Sequence, residues 1–184
     1  MSKILVDTID TRSGTSTLTV GSSNSTAISL AKNVSLASGV VQSNFNNPSF
    51  LAYLSGGASG GSVSNLTATI VVLDTEIFDT DGKFDTSNGR FTPGIAGKYF
   101  FYGSARFQSS ADFDPFEVAI YKNGTSELAR FQDRHEHYSV GVTSVVADLN
   151  TTDYINLRVY QGSGGSLQLS GYQNVTFMGG FRIG

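Results

Sequence analysis

The chain has no cysteine and no tryptophan, and only three prolines in 184 residues. Without cysteine there is neither a disulfide framework nor a thiolate to act as nucleophile or ligand. Charge is sparse, with 12 basic and 15 acidic side chains and a net charge of −3. That balance excludes the basic stripe by which a protein neutralises phosphates, so no nucleic-acid partner is expected. No run of lysine or arginine addresses an anionic membrane surface. No apolar stretch approaches the roughly 18 residues of a membrane-spanning helix, so no membrane insertion is expected. The opening "MSKILVDTIDTRSG" holds only Ile4, Leu5 and Val6 before Asp7. A secretory core needs about 7–15 apolar residues, so the chain is expected to be made and assembled in a cytosol. Triplets such as Asn123-Gly124-Thr125 then follow from Ser/Thr/Asn richness rather than from glycosylation.

Aromatic residues are missing from the first 44 positions, and all 13 Phe and 8 Tyr lie from Phe45 onward. The aromatic-free segment is rich in Ser and Thr, with apolar residues in alternating pairs: Leu18/Val20, Ile28/Leu30 and Val34/Leu36. A period of two argues for strands. Such strands bury too little for a globular core of their own. Two readings stand: a disordered tail, or a thin shaft in which several chains share a narrow apolar axis. Recurring apolar pairs, no proline and no charge run favour the shaft. The Gly/Ser stretch "SGGASGGSVS" at 55–64 reads as a loop, because "PSFLAYL" just before it has the pattern of an opening strand. The expected division is residues 1–47 as an attachment or shaft segment and residues 48–184 as a folded head.

From about residue 66 the pattern is all-β. Short aromatic or β-branched runs such as "KYFFYGSARF", "FEVAIYKNG" and "DYINLRVYQG" are punctuated by Gly, Asn and Asp. "KNGT" at 122–125 is a hairpin turn, since Asn-Gly tolerates the positive φ of a tight turn. No segment has a helical period, so the head is a sandwich or barrel. The run "GKYFFY" places Tyr99 and Phe101 on one face and Phe100 and Tyr102 on the other. A strand that is aromatic on both faces must be covered on both. Further copies of the same sheet about a symmetry axis are the economical cover, so a homo-oligomer is expected.

Asp79, Phe84, Phe91, Gly97, Tyr99 and Phe101 stand at the spacings of six of the eight signature positions of the C1q globular-head family, without a gap. The chain resembles that family over residues 48–184, with Leu73 in place of the first signature Phe and Gly103 in place of the last aromatic. "PSFLAYL" is similar to the family's opening strand and "VTFMGGFRIG" to its closing one. The resemblance implies a C1q/TNF-like jelly roll forming a homotrimer, with the first and last strands side by side and aromatics along the axis. The aromatics expected to pack the core or that axis are Phe50, Phe84, Phe91, Tyr99, Phe100, Phe101, Tyr102, Phe177 and Phe181. The first thirty residues resemble the start of fibre and appendage proteins of tailed bacteriophages. This implies a virion protein whose residues 1–47 join other virion proteins.

Two constellations raise metal chemistry. His135 and His137 are the chain's two histidines. In a strand they would share a face, and on a three-fold axis they would supply six imidazoles to a transition metal. The alternative is a polar surface segment. Asp79, Asp81 and Asp85 gather in "DTDGKFDTSNG", a density that can hold calcium. The spacing of a calcium-binding helix–loop–helix is missing, and the family signature makes Asp79 a structural residue. The main expectation is therefore no cofactor. No segment has the strand-to-helix turn of a nucleophile elbow, and there is no phosphate-cradling glycine loop, so no enzyme is expected. Binding would fall to loops at the free end, 108–116, 132–138 and 161–172, with Tyr138 and Tyr172 as exposed anchors. The function expected is a trimeric phage fibre, of tail or capsid, on the virion surface. Its head would bind a host-surface glycan or protein. The alternatives are a decoration protein without a ligand and a secreted bacterial lectin-like module.

Overall fold

The computed structural model describes residues 48–183, and among them there is no helix. Thirteen strands follow one another: β1 Ser49–Tyr53, β2 Ser62–Val63, β3 Thr69–Ile70, β4 Thr75–Asp79, β5 Phe84–Asp85, β6 Arg90–Phe91, β7 Gly97–Arg106, β8 Phe113–Lys122, β9 Ser126–His135, β10 Val140–Leu149, β11 Ile155–Gln161, β12 Leu167–Gln168 and β13 Phe177–Arg182. One sheet has the order β10-β7-β13-β1-β4; the other runs β5-β6-β11-β8-β9, with β3 beside β11. A short ribbon pairs β2 with β12. The two large sheets form a jelly-roll sandwich. The first and last strands lie side by side, with Ser49 opposite Phe181 and Tyr53 opposite Phe177.

Alternation along the strands sets the core. In β7, Tyr99 and Phe101 face inward and are fully buried. Phe50 of β1 stacks on Phe91 of β6 at 4.6 Å and on Phe84 of β5 at 5.0 Å, which ties the two sheets together. Aromatic pairs at such spacing add to the roughly 1.5–3 kcal/mol that burial of each large apolar side chain contributes. Phe107, Phe113 and Phe116 form a second, edge-to-face cluster nearer the other end.

The two departures from the family signature are absorbed by packing. Leu73 is fully buried and keeps the apolar volume of the first position. At Gly103 the space that a side chain would occupy belongs to Leu157, whose Cδ1 would lie 2.5 Å from an added Cβ. Asn123 and Gly124, with φ of 54° and 72°, make the turn between β8 and β9 that their sequence demands.

Candidate functional site

The outward faces of the two sheets differ in chemistry. On the β11-β8-β9 side, Arg130 bonds Glu117 at 3.1 Å and Glu127 at 2.9 Å. The Tyr121 hydroxyl donates to Glu127 at 2.8 Å, and the Arg158 guanidinium lies 4.7 Å from the Tyr121 ring centre. Burial raises the Tyr121 phenol above its ordinary value, with help from the bond to Glu127. Glu117 and then Glu127 hold the Arg130 guanidinium above its usual range. This is a water-facing surface whose charges are matched.

The outward face of the five-stranded sheet is apolar. Phe100 and Tyr102 of β7 stand opposite Phe181 and Gly179 of β13, and Val146 and Ser144 of β10 flank them. Leu51 and Tyr53 of β1 continue the same face, with Phe78 of β4 opposite Leu51. Phe100 and Phe181 meet at 5.5 Å, and Tyr102 and Phe177 at 6.2 Å. Phe181 is 41% exposed, Phe78 45%, Val146 54% and Val142 59%, so a contiguous apolar surface faces out rather than isolated side chains. A pocket of about 360 Å³ opens on this face between Leu51, Ile77, Tyr102 and Phe177, with the amides of Gln173 and Asn174 at its rim. The expected aromatics thus divide. Phe50, Phe84, Phe91, Tyr99 and Phe101 fill the core, whereas Phe100, Tyr102, Phe177 and Phe181 line the outward face.

The loops expected to bind lie at one end, away from Pro48. Backbone bonds lace them together: Tyr138 N donates to Ser109 O at 3.1 Å, Gly162 N to Pro115 O at 2.9 Å, and Gln108 N to Gln168 O at 2.7 Å. Their extents are narrower than the sequence suggested, since residues 113–116 lie in β8 and residues 132–135 in β9. Tyr138 is 37% exposed and Tyr172 45%. The Tyr172 ring stands beside the backbone of Gly57.

The two histidines do not share a strand face, which corrects the expected geometry. Strand β9 ends at His135, and His137 sits in the following turn with φ of 33°. His135 is fully buried, stacked on Phe113 at 4.3 Å and edge-on to Phe116 at 5.5 Å. Its Nδ1 lies 3.2 Å from the Ala111 carbonyl, which can only accept, so Nδ1 carries the proton. Nε2 is buried without a partner. Burial pushes the imidazole below its ordinary value, against the opposing effects of the Ala111 carbonyl and Asp112.

Asp79 is engaged in its own turn: it accepts from Phe84 N at 2.7 Å and Asp81 N at 3.2 Å. Asp85 likewise accepts from the Ser87 hydroxyl at 2.6 Å and the Ser87 N–H at 2.9 Å, which hold its carboxyl below the usual range. Among the described residues no three His, Cys, Asp or Glu side chains gather as a metal site would require. The sequence reading missed Arg106 and the apolar pocket. Arg106 is one of two cations in β7, with Lys98, and nothing in its sequence setting marks it; the pocket is assembled from four separate segments.

Among solved structures, murine APRIL at pH 5.0 is similar with a TM-score of 0.58 and 14% identity, over 75% of this chain and 100% of that one. The globular domain of zebrafish complement 1qA is similar with a TM-score of 0.55 and 19% identity, over 76% of this chain and 98% of that one. At such identities the likeness is one of fold. The phage-like element PBSX protein XkdV of Bacillus subtilis (strain 168) is 30% identical over 100 residues. That match spans 50% of this chain and 15% of the relative's length. The C1q domain model matches residues 49–182, almost the whole of the described sandwich, and the chain belongs to the C1q domain family.

Proposed function

We propose that this chain is a phage C1q-like appendage protein that assembles as a homotrimer through the apolar face of its five-stranded sheet. Its place is the virion surface. Residues 1–47, which lie outside the described residues, join it to other virion proteins, and the distal loops meet a host-surface glycan or protein. The role is assembly and binding, without catalysis and without a cofactor. The carrying observation is the contrast between the two outward faces. One is a matched ionic network, whereas the other exposes Phe78, Val142, Val146 and Phe181 around Phe100 and Tyr102. An aromatic sheet face of this extent would favour aggregation unless covered, and a copy of itself is the one partner always at hand. The family resemblance supplies the number three. The similarity to a phage-element protein supports the virion setting.

Light scattering on the purified chain tests the assembly, with three chain masses expected. A soluble, folded monomer overturns it. Adhesion of the purified protein to host cells, with competition against infection, tests the binding role. A trimer that neither adheres nor competes leaves only particle decoration.

A further inference from the structure

We infer that the distal end carries a binding site for an acidic glycan, in which Arg106 pairs with a sugar carboxylate and Tyr138 offers its ring to the sugar. This rests on the host-surface reading above and names its ligand class.

Arg106 closes β7 at the distal limit of the apolar face and is half-buried. Its Nε donates to the Ser170 hydroxyl oxygen at 3.1 Å, and that hydroxyl donates to Gln108 Oε1 at 2.8 Å. Ser170 is itself fully buried. The guanidinium is therefore held from behind, through Nε, by a hydroxyl whose own orientation is fixed. The two terminal nitrogens remain as the planar fork that matches a carboxylate.

No carboxylate among the described residues forms an ion pair with Arg106. Arg130 is paired with Glu117 and Glu127, and Arg134 at the same end is paired with Asp112 at 3.7 Å. Arg90, Arg158 and Arg182 are likewise half-buried without a carboxylate partner among the described residues; what sets Arg106 apart is its place at the distal end, beside the partly exposed Tyr138 ring. Fixing a long side chain costs rotamer entropy that a plain surface arginine would keep.

The second component is Tyr138. The Arg106 guanidinium carbon lies 5.7 Å from its ring centre, so the two side chains are neighbours. Tyr138 and His137 are successive residues in the left-handed region, with φ of 64° and 33°. That conformation is costly for residues with a Cβ. It is held by Tyr138 N donating to Ser109 O at 3.1 Å and Ser139 N to Glu136 O at 2.9 Å. The strained turn fixes a partly exposed aromatic ring beside a fixed guanidinium. A pyranose acid presents the complementary pair, an apolar C–H face and a ring carboxylate. An acidic peptide would satisfy the arginine and leave the ring without a partner.

The test uses the full chain in biolayer interferometry against immobilised oligosaccharides. Those ending in galacturonate, glucuronate or sialic acid are compared with neutral galacto-oligosaccharides and an oligoglutamate peptide. Binding to at least one acidic sugar and not to the neutral series is expected. Arg106→Gln should weaken it by about tenfold or more, and Arg106→Lys should restore only part, because an ammonium has no fork. Tyr138→Ala should weaken it as well. Arg130→Gln, on the outward face of the other sheet and outside the distal loops, should leave it unchanged. Thermal melts establish that each variant is folded. Equal binding to neutral sugars, undiminished binding by a folded Arg106→Gln variant, or binding to oligoglutamate alone overturns the assignment. Host-cell adhesion by a protein that ignores all three acidic sugars also overturns it, while the host-surface reading stands. Acidic-sugar binding without host adhesion supports the site and removes that reading.

Discussion

The phenol of Tyr102 lies across Gly179 on the neighbouring strand. A Cβ built on Gly179 would come 2.5 Å from the Tyr102 hydroxyl oxygen and 3.1 Å from the Phe50 carbonyl oxygen. The missing side chain lets the tyrosine lie flat over the sheet and form one wall of the pocket beside Phe177. Gly179→Ala should push Tyr102 off its place at a cost of about 1–3 kcal/mol, as for other overpacked sites. The larger expected effect is on assembly, since the covering copy loses a flat partner. Analytical ultracentrifugation should show a shift from trimer towards monomer. An unchanged trimer would place the interface elsewhere.

Adjacent residues of β7 should respond to truncation in opposite ways. Phe101 is fully buried against Phe91 at 5.8 Å and Tyr99 at 5.9 Å. Phe101→Ala should lose about 3–5 kcal/mol in chemical denaturation. Phe100, one residue on, faces outward against Phe181. Phe100→Ala should leave the isolated sandwich folded and weaken self-association. A comparable loss of fold stability in both variants would argue against the division of the two faces.

This division was legible in the sequence because a strand puts successive residues on opposite faces, whatever its neighbours do. Tyr99 and Phe101 could therefore be separated from Phe100 and Tyr102 by parity alone. The same rule failed for His135 and His137, because it holds only while the strand continues. Strand β9 stops at His135, and the next residues turn with positive φ at His137 and Tyr138. Nothing in "DRHEHYS" marks that turn with Gly, Pro or Asn. Asp79 was legible as structural through the family spacing. The pocket was not, because Leu51, Ile77, Tyr102 and Phe177 are brought together only by the strand order β7-β13-β1-β4.

His135 should make stability depend on pH in the mildly acidic range. Burial holds its folded value below the ordinary one of about 6.5. As pH falls below about 6.5 the unfolded chain takes up a proton that the folded chain refuses, so stability falls with pH until the folded value is reached. The second proton would have to enter at Nε2, among Phe113 and Phe116 and without an acceptor. Denaturation of the wild type at pH 7.5 and 5.5 should show this loss. His135→Phe should lose stability at both pH values with the Ala111 bond and show a much smaller difference between them. An equal difference in the variant would assign the effect to other groups.

Asp153 should act at lower pH. The Lys122 ammonium at 2.9 Å, then the Asn123 amide and the Asn150 N–H, hold its carboxyl at about 2. Its value is depressed on folding, so its contribution is full above the unfolded value of about 3.9 and is lost as pH falls towards 2. These bonds tie the β8–β9 turn to the loop before β11. Asp153→Asn should lower the melting temperature at neutral pH and flatten its decline between about pH 4 and 2. A variant whose decline matches the wild type would remove Asp153 from the acid response.

The sandwich should fold without the segment that precedes it. Ser49 begins β1, which is hydrogen-bonded on one side to β13 and on the other to β4. The first stitch of the described chain is the bond from Arg182 N to Pro48 O at 2.9 Å. Phe50, two residues later, already lies at the centre of the core on Phe84 and Phe91. A truncation that starts before Pro48 keeps all of these. One that starts after Phe50 removes the aromatic that joins the sheets and the strand that fills the gap between β13 and β4. Residues 48–184 should therefore melt in one cooperative transition close to that of the full chain and keep its oligomeric state. A chain starting at Ala52 should not fold. Under the proposed function, the 48–184 protein should also fail to join the particle. A truncated protein that unfolds would mean that the sandwich borrows part of its stability from residues 1–47. A truncated protein still incorporated into particles would mean that the sandwich itself makes the attachment.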